Sequence, residues 1–223
     1  MYLLSFEGLD GSGKSTQALL LAEWLKAEGF RVEMVREPGG TRISERVREM
    51  LLDPENLIDP FAELLLFSAA RSQLVSERVR PLLEAGVVVI CDRFFDSTTA
   101  YQGFGRGIAD PAWLNTFHRK VTGGLVPHRT YLIEISPETA RERRQARSED
   151  DRMEAAGHEF HSRVAEGYRW LAAKEERVCA LDGTLSISAL AERIRSDLAT
   201  HLLDDPDVAG GTGNGTPGLP GNS

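Results

Sequence analysis

The 223-residue sequence predicts an α/β protein: a five-stranded parallel sheet with helices on both faces. Three observations predict it. Short apolar runs alternate along the chain with longer stretches of helical periodicity. One run, Val87-Val-Val-Ile-Cys91, is continuous and mostly β-branched, as a strand covered on both faces requires. Between the first predicted strand and the first predicted helix, Gly8-Leu-Asp-Gly-Ser-Gly-Lys-Ser15 fits G-x-x-x-x-G-K-[ST], which makes the sheet one of the P-loop NTPase type.

Residues 2–7 are short, apolar and aromatic and read as the first strand. Residues 16–28 carry Leu20, Leu21, Trp24 and Leu25 at helical spacing. Residues 31–36 alternate and read as the second strand, and Glu37-Pro-Gly-Gly40 is a turn. Ile43, Val47, Met50 and Leu51 give residues 41–52 a helical pattern, which Asp53-Pro54 ends. Asp59-Pro60 opens a helix, with Asp as N-cap and Pro at the first helical position. Its pattern runs through Leu64, Leu65, Phe67 and Leu74 toward Ala85, with a kink expected near Pro81. The third strand occupies 87–91. Asp110-Pro111 starts a helix that ends near Gly123-Gly124, and residues 130–135 form the fourth strand. Ser136-Pro137 opens an arginine-rich helix; 157–174 is helical, 178–181 is the fifth strand, and 186–203 is the last amphipathic helix. Residues 204–223 are rich in Gly, Pro, Asn and Asp and almost free of apolar residues, so that tail is expected to be disordered.

Composition narrows the function. At 41% hydrophobic, the chain can fill a sizeable core, but no stretch approaches the roughly 18 uninterrupted apolar residues of a membrane helix. The first residues lack a basic region, so no signal peptide is expected. Cys91 and Cys179 fall in or beside predicted strands and read as small core residues in a reducing cytoplasm. A net charge of −8 argues against a general nucleic-acid binder.

The glycine-rich segment carries the chemistry. Glycines 8, 11 and 13 let the backbone wrap close to an anion, and successive N–H groups converge on phosphate oxygens at the positive end of the next helix. Gly8, Leu9, Asp10, Gly11, Ser12, Gly13, Lys14, Ser15 and Thr16 are therefore the nucleotide-binding candidates. Lys14 reaches the β- and γ-phosphates, and the Ser15 hydroxyl can ligate Mg²⁺.

Ligands of a parallel sheet bind at the carboxyl ends of its strands. After the second strand comes Arg36-Glu-Pro-Gly-Gly-Thr41, and after the third Asp92-Arg93-Phe94. Asp92 stands where a metal-holding acid would sit. Arg93 follows it, rather than the Glu that activates water in many ATPases, and a rigid bidentate donor suits a second phosphate group. A structural Asp–Arg pair is the plainer reading of the same two residues. The fourth strand leads to Arg141, Arg143, Arg144, Arg147 and Arg152. They read either as a solvated helix face, partly neutralised by Glu149, Asp150 and Asp151, or as a flap that brings guanidinium groups to a moving phosphoryl. Phe67 and Arg71 share a helix face; Phe67 alone suits the core, and the pair can make a base site.

These residues together resemble a bacterial thymidylate kinase over roughly 1–203: the P-loop, Arg36-Glu-Pro-Gly-Gly-Thr41, Phe67-Ser-Ala-Ala-Arg71 with Gln73, Asp92-Arg93-Phe94, Ala100-Tyr-Gln-Gly103 and Asp151-Arg-Met-Glu154. The resemblance implies transfer of phosphoryl from ATP to dTMP, giving ADP and dTDP for dTTP synthesis, with Mg²⁺ as cofactor, in a cytoplasmic homodimer. It makes 1–203 one nucleoside monophosphate kinase domain with a lid at about 141–157. It also implies roles. Asp10 would contact the deoxyribose 3′-hydroxyl, Phe67 stack on thymine, and Arg71 hydrogen-bond its edge. Pro38 would line the methyl pocket and Arg93 hold the dTMP phosphate. Tyr101 would sit by C2′ with Gln102 beside it, and Ser97 and Thr98 would lie near the base. No arginine occupies positions 9–12, so the lid supplies them, with Arg147 and Arg152 chosen for the transferred phosphoryl. The long helix from Pro60 is the interface candidate.

The nearest alternative is a P-loop kinase for another nucleoside or nucleoside monophosphate. A nucleotide-dependent switch or ATPase module is less favoured, because no N-K-x-D sequence occurs and no Asp-Glu pair ends the third strand.

Overall fold

The computed structural model describes residues 2–145, 152–153 and 156–203. Arg147, with the rest of 146–151 and 154–155 of the expected lid, and the 204–223 tail lie outside the described residues. Five strands, β1 (Leu3–Glu7), β2 (Val32–Arg36), β3 (Val88–Asp92), β4 (Arg129–Glu134) and β5 (Val178–Asp182), form one parallel sheet in the order β2-β3-β1-β4-β5. The expected fold class holds, and each strand lies within two residues of its expected bounds.

Residue alternation in β1 sorts the two faces, because successive side chains point opposite ways. Leu4 and Phe6 join Ile90, Tyr131 and Ile133 in a core beneath α1 (Lys14–Ala27) and α9 (Ile187–Leu203), where Leu21, Leu25, Ile194 and Leu198 meet them. Leu3 points to the other face, where Val35, Val89 and Cys91 pack on Leu74, Val75 and Val79. Cys91 is buried and Cys179 half-buried, and neither is in a disulfide. Glu7 shares the face of Leu3, so its carboxylate is buried inside the molecule.

α2 (Arg42–Leu52) is capped by Thr41, whose hydroxyl accepts from the Ser44 N–H. α3 (Pro60–Leu74) starts as expected, with Asp59 accepting from the N–H groups of Phe61 and Ala62. The irregularity expected near Pro81 appears just before it. Residues Val75–Val79 widen into a π-helical turn, and α4 (Arg80–Glu84) resumes the helix. Proline lacks an N–H and crowds the carbonyl four residues back, so a wider preceding turn accommodates it.

The stretch after β3 departs from expectation. α5 (Phe95–Thr98) runs into a π-helical segment, Thr99–Gly105, where no helix was expected. Ser, Thr and two glycines make it a poor helix on propensity. Burial holds it, since Ala100 and Tyr101 pack on Val164 and Tyr168 of α8 (His158–Lys174). α6 (Pro111–Val121) is capped by Asp110, and α7 (Pro137–Gln145) follows β4.

The register aligns the functional ends. Phe6 of β1 and Arg36 of β2 both lie opposite Asp92 of β3. The chain leaves β1 toward β2 but leaves β3 toward β4, in opposite directions across the sheet. The crevice at the carboxyl ends of β1 and β3 is thus the switch point where ligands of such sheets bind.

Candidate active site

The P-loop leaves β1 as the spacing predicts. Gly8 has φ +138°, and a Cβ there would lie 2.4 Å from the Ile133 carbonyl oxygen of the neighbouring strand, so no larger residue fits. Gly13, at φ 96°, caps α1 without any side-chain bond to its first N–H groups. Those donors stay available to an anion, and the helix dipole favours one there. Lys14 is largely buried beneath the loop, whereas Ser15 and Thr16 are exposed on its outer side.

Lys14 Nζ donates to Asp10 Oδ1 at 2.8 Å. Arg93 Nη2 donates to the same oxygen at 2.7 Å. Burial alone would raise the Asp10 pKa. Arg93, then Lys14, overcome that and hold it well below the usual carboxylate range. Arg93 has φ 73°, the only non-glycine positive φ among the described residues. Its unusual backbone turns the side chain back over the sheet end, and four partners fix it there. Nη1 reaches Ser97 Oγ and the Tyr168 hydroxyl, each at 3.0 Å, and Nη2 also reaches the Tyr101 hydroxyl at 3.1 Å. The guanidinium carbon stands 5.0 Å from the Tyr101 ring centroid.

Behind Arg93 lies Glu7, which sequence reading did not single out. Its Oε1 accepts from the Phe94 N–H at 2.7 Å, and its Oε2 from Ser97 Oγ at 2.5 Å and the Tyr168 hydroxyl at 3.0 Å. Burial raises its pKa, helped by Asp96, while Arg93 opposes the shift. The only sequence signal was an acid ending an otherwise apolar strand.

Asp92 Oδ2 accepts from Ser15 Oγ at 2.5 Å, so the two metal candidates meet. Their hard oxygen atoms suit Mg²⁺, which binds through one or two carboxylates plus phosphates and water. Among the described residues no group of three or more His, Cys, Asp or Glu is placed to hold a metal ion.

Beside this phosphate end, Asp10, Pro38, Phe67, Arg71, Arg93, Ser97, Thr98, Tyr101 and Gln102 line one cleft with a cavity volume of about 110 Å³. All the expected acceptor-side residues are therefore brought together. Glu37, Arg48, Leu52 and Met153 line it too and were not foreseen. Phe67 is half-buried: it packs on the α8 core at one edge and faces the cleft at another. Arg71, only 2% exposed, is more committed than a free base-reading donor. Nε pairs with Glu37 Oε2 at 2.6 Å, Nη1 with Thr98 Oγ1 at 2.9 Å and Nη2 with the Phe94 carbonyl at 3.2 Å. Three of its five N–H donors are thus used, and two remain.

The arginine stretch divides. Arg143 of α7 donates to the Gly11 carbonyl at 3.3 Å and the Gly183 carbonyl at 3.2 Å, which sets α7 on the P-loop. Arg152 pairs with Glu63 Oε2 at 2.7 Å and donates to the Leu51 carbonyl at 2.7 Å.

A family model described as thymidylate kinase matches residues 6–194. The chain is 46% identical over 200 residues to a thymidylate kinase of Caldanaerobacter subterraneus subsp. tengcongensis, covering 89% of this chain and 95% of that one. It is 46% identical over 220 residues to a thymidylate kinase of Roseiflexus castenholzii, covering 92% and 96%. The crystal structure of a thymidylate kinase from Ehrlichia chaffeensis superposes with a TM-score of 0.72 at 33% identity, covering 89% of this chain and 98% of that chain.

Proposed function

The chain belongs to the thymidylate kinase family, and from that premise we propose how its residues divide the work of the reaction. The reaction is the ATP-dependent phosphorylation of dTMP to dTDP. The observation that carries the division is the Asp10 carboxylate, with one cation of the P-loop and one of the Asp92-Arg93 turn on a single oxygen.

In our reading the backbone of Gly8 to Thr16 cradles the ATP phosphates, and Lys14 contacts the β- and γ-phosphates. Arg93 holds the dTMP phosphate. Asp10 spaces the two cations through Oδ1, and its Oδ2, which also accepts from the Tyr101 hydroxyl at 3.4 Å, is the oxygen offered to the sugar 3′-hydroxyl. Pro38, Phe67, Arg71, Thr98 and Gln102 take thymine, and Ser97 and Tyr101 fix Arg93 and the sugar. The acceptor phosphate is already an anionic nucleophile, so no strong base is needed. Alignment of the two phosphates and neutralisation of their charge supply the catalysis. Ser15 and Asp92 would hold Mg²⁺, which when bound neutralises charge on the transferring phosphates. Arg147 is proposed for the moving phosphoryl. Arg152, whose guanidinium is committed to Glu63, is proposed to seat that stretch of chain.

We further propose a homodimer through α3, where Phe61 and Leu65, one turn apart, are 48% and 46% exposed. Light scattering would read the dimer directly. The cytoplasm is the proposed setting; among the described residues no helix is long and apolar enough to cross a membrane.

The test is ADP release with Mg·ATP against dTMP, dUMP, thymidine, CMP, UMP, AMP and no acceptor. Fastest turnover with dTMP, giving dTDP, is expected. Preference for another acceptor would discard the base site, and release without an acceptor would make the protein an ATPase.

A further inference from the structure

Glu63, in the first turn of α3, has no exposed surface and takes no part in the chemistry assigned above. It collects donors from two other stretches of chain. Gln102 Nε2 reaches Oε1 at 2.9 Å, Arg106 donates to Oε1 at 3.1 Å and Oε2 at 3.0 Å, and Arg152 reaches Oε2 at 2.7 Å. Burial raises its pKa, but the bonds from Arg106, Gln102 and Arg152 bring it below the ordinary value, so Glu63 is ionised at neutral pH.

An ionised carboxylate only accepts hydrogen bonds. Facing it, the Gln102 amide must turn its NH₂ toward Glu63, and its carbonyl oxygen therefore turns away. Gln102 lines the cleft, and its carbonyl oxygen makes no hydrogen bond among the described residues. The cleft thus holds a fixed acceptor on Gln102 beside the donors of Arg71.

We propose that Glu63 is a positioning residue for base selection. By holding the Gln102 NH₂ it presents the Gln102 carbonyl oxygen to an imide N–H of the bound base, and against a ring nitrogen lone pair. This inference rests on the dTMP reading. Thymine carries N3–H beside the O4 acceptor. Cytosine carries an unprotonated N3 beside an amino group, so it sets lone pair against lone pair at Gln102 and donor against donor at Arg71. With Gln102 turned over, its NH₂ would favour the cytosine pattern at N3.

The experiment titrates dTMP and dCMP into the wild-type protein, Glu63→Gln, Glu63→Asp and Gln102→Leu. Glu63→Gln can donate or accept, so it no longer dictates the amide's orientation. Glu63→Asp keeps a charge for both arginines but withdraws the carboxylate by one methylene, and it serves if the first variant does not fold. The dTMP Kd is expected to rise about tenfold in each variant while the dCMP Kd stays level or falls, since a mispaired polar group is what rejects the wrong base. The KM for ATP should stay within about twofold, because binding at the P-loop is independent of Gln102. Glu63→Gln combined with Gln102→Leu should lose no more dTMP affinity than Gln102→Leu alone. Equal weakening of both nucleotides, or an unchanged preference in a folded variant, would overturn the proposal and leave Glu63 a packing residue. Wild-type protein that bound dCMP as well as dTMP would instead overturn the dTMP reading on which it rests.

Discussion

Lys14 and Arg93 end on one atom, Asp10 Oδ1, at 2.8 and 2.7 Å, although they belong to different loops. Two cations held that close need an anion between them, and Asp10 is that anion. Its pKa lies below its ordinary value of 3.8, because Arg93 and Lys14 outweigh burial. A carboxyl with a lowered folded-state pKa stabilises the fold above its unfolded pKa, and that stability is lost as pH falls through the folded value. Asp10→Asn should therefore lower the Tm at pH 7, and the gap from wild type should close on acidification below about pH 4. A gap that stayed constant with pH would remove the charge argument.

Lys14→Ala should reduce turnover by several orders of magnitude, since a charge on the transferring phosphates is worth most in the transition state. The dTMP site is lined by other residues and should survive. Equilibrium titration of dTMP beside a steady-state assay checks both halves. Retained turnover would take the phosphate role from Lys14.

Phe67→Ala separates the core reading from the stacking reading. The ring packs on the α8 cluster and also faces the cleft, so some loss of Tm is expected whichever reading holds. A stack on the base contributes on the order of 1–3 kcal/mol, or about 5- to 150-fold in Kd, and should fall on dTMP alone. Equal weakening of dTMP and ATP would return Phe67 to the core.

Sequence made the sheet and the phosphate site legible because both are local. A β-branched run, an Asp-Pro cap and a glycine-rich turn each state their geometry within a few residues. The segment from Phe95 to Gly105 was not legible, since its helix is held by α8 and not by its own propensity. Glu7 and Glu63 were missed for a related reason. An acid in a strand or a first helical turn looks ordinary until distant donors converge on it: Phe94, Ser97 and Tyr168 on one, Gln102, Arg106 and Arg152 on the other. Resemblance named Arg71 as a base contact, but only the fold revealed that Glu37 anchors it.

That anchor makes base binding depend on pH. Glu37 is 4% exposed, and burial lifts its pKa to about 7 even though Arg71 pulls the other way, with Glu7 adding to the rise. Above pH 7 the carboxylate holds Arg71 Nε at 2.6 Å; below it the neutral acid holds less firmly, and Arg71 keeps only Thr98 and the Phe94 carbonyl as full-strength anchors in the cleft. Stability runs the opposite way. The folded state binds a proton that the unfolded state lacks between the ordinary 4.5 and about 7, so this group's stabilising contribution is present at low pH and lost as pH rises through 7. Thymidine is the probe, because it has no phosphate to titrate. Its Kd should rise several-fold from pH 8 to pH 6, roughly the cost of loosening one charged hydrogen bond. In Glu37→Gln the profile should be flat, whatever its absolute affinity. The same slope in that variant would assign the titration to another group in the cleft and leave Glu37 with a packing role alone.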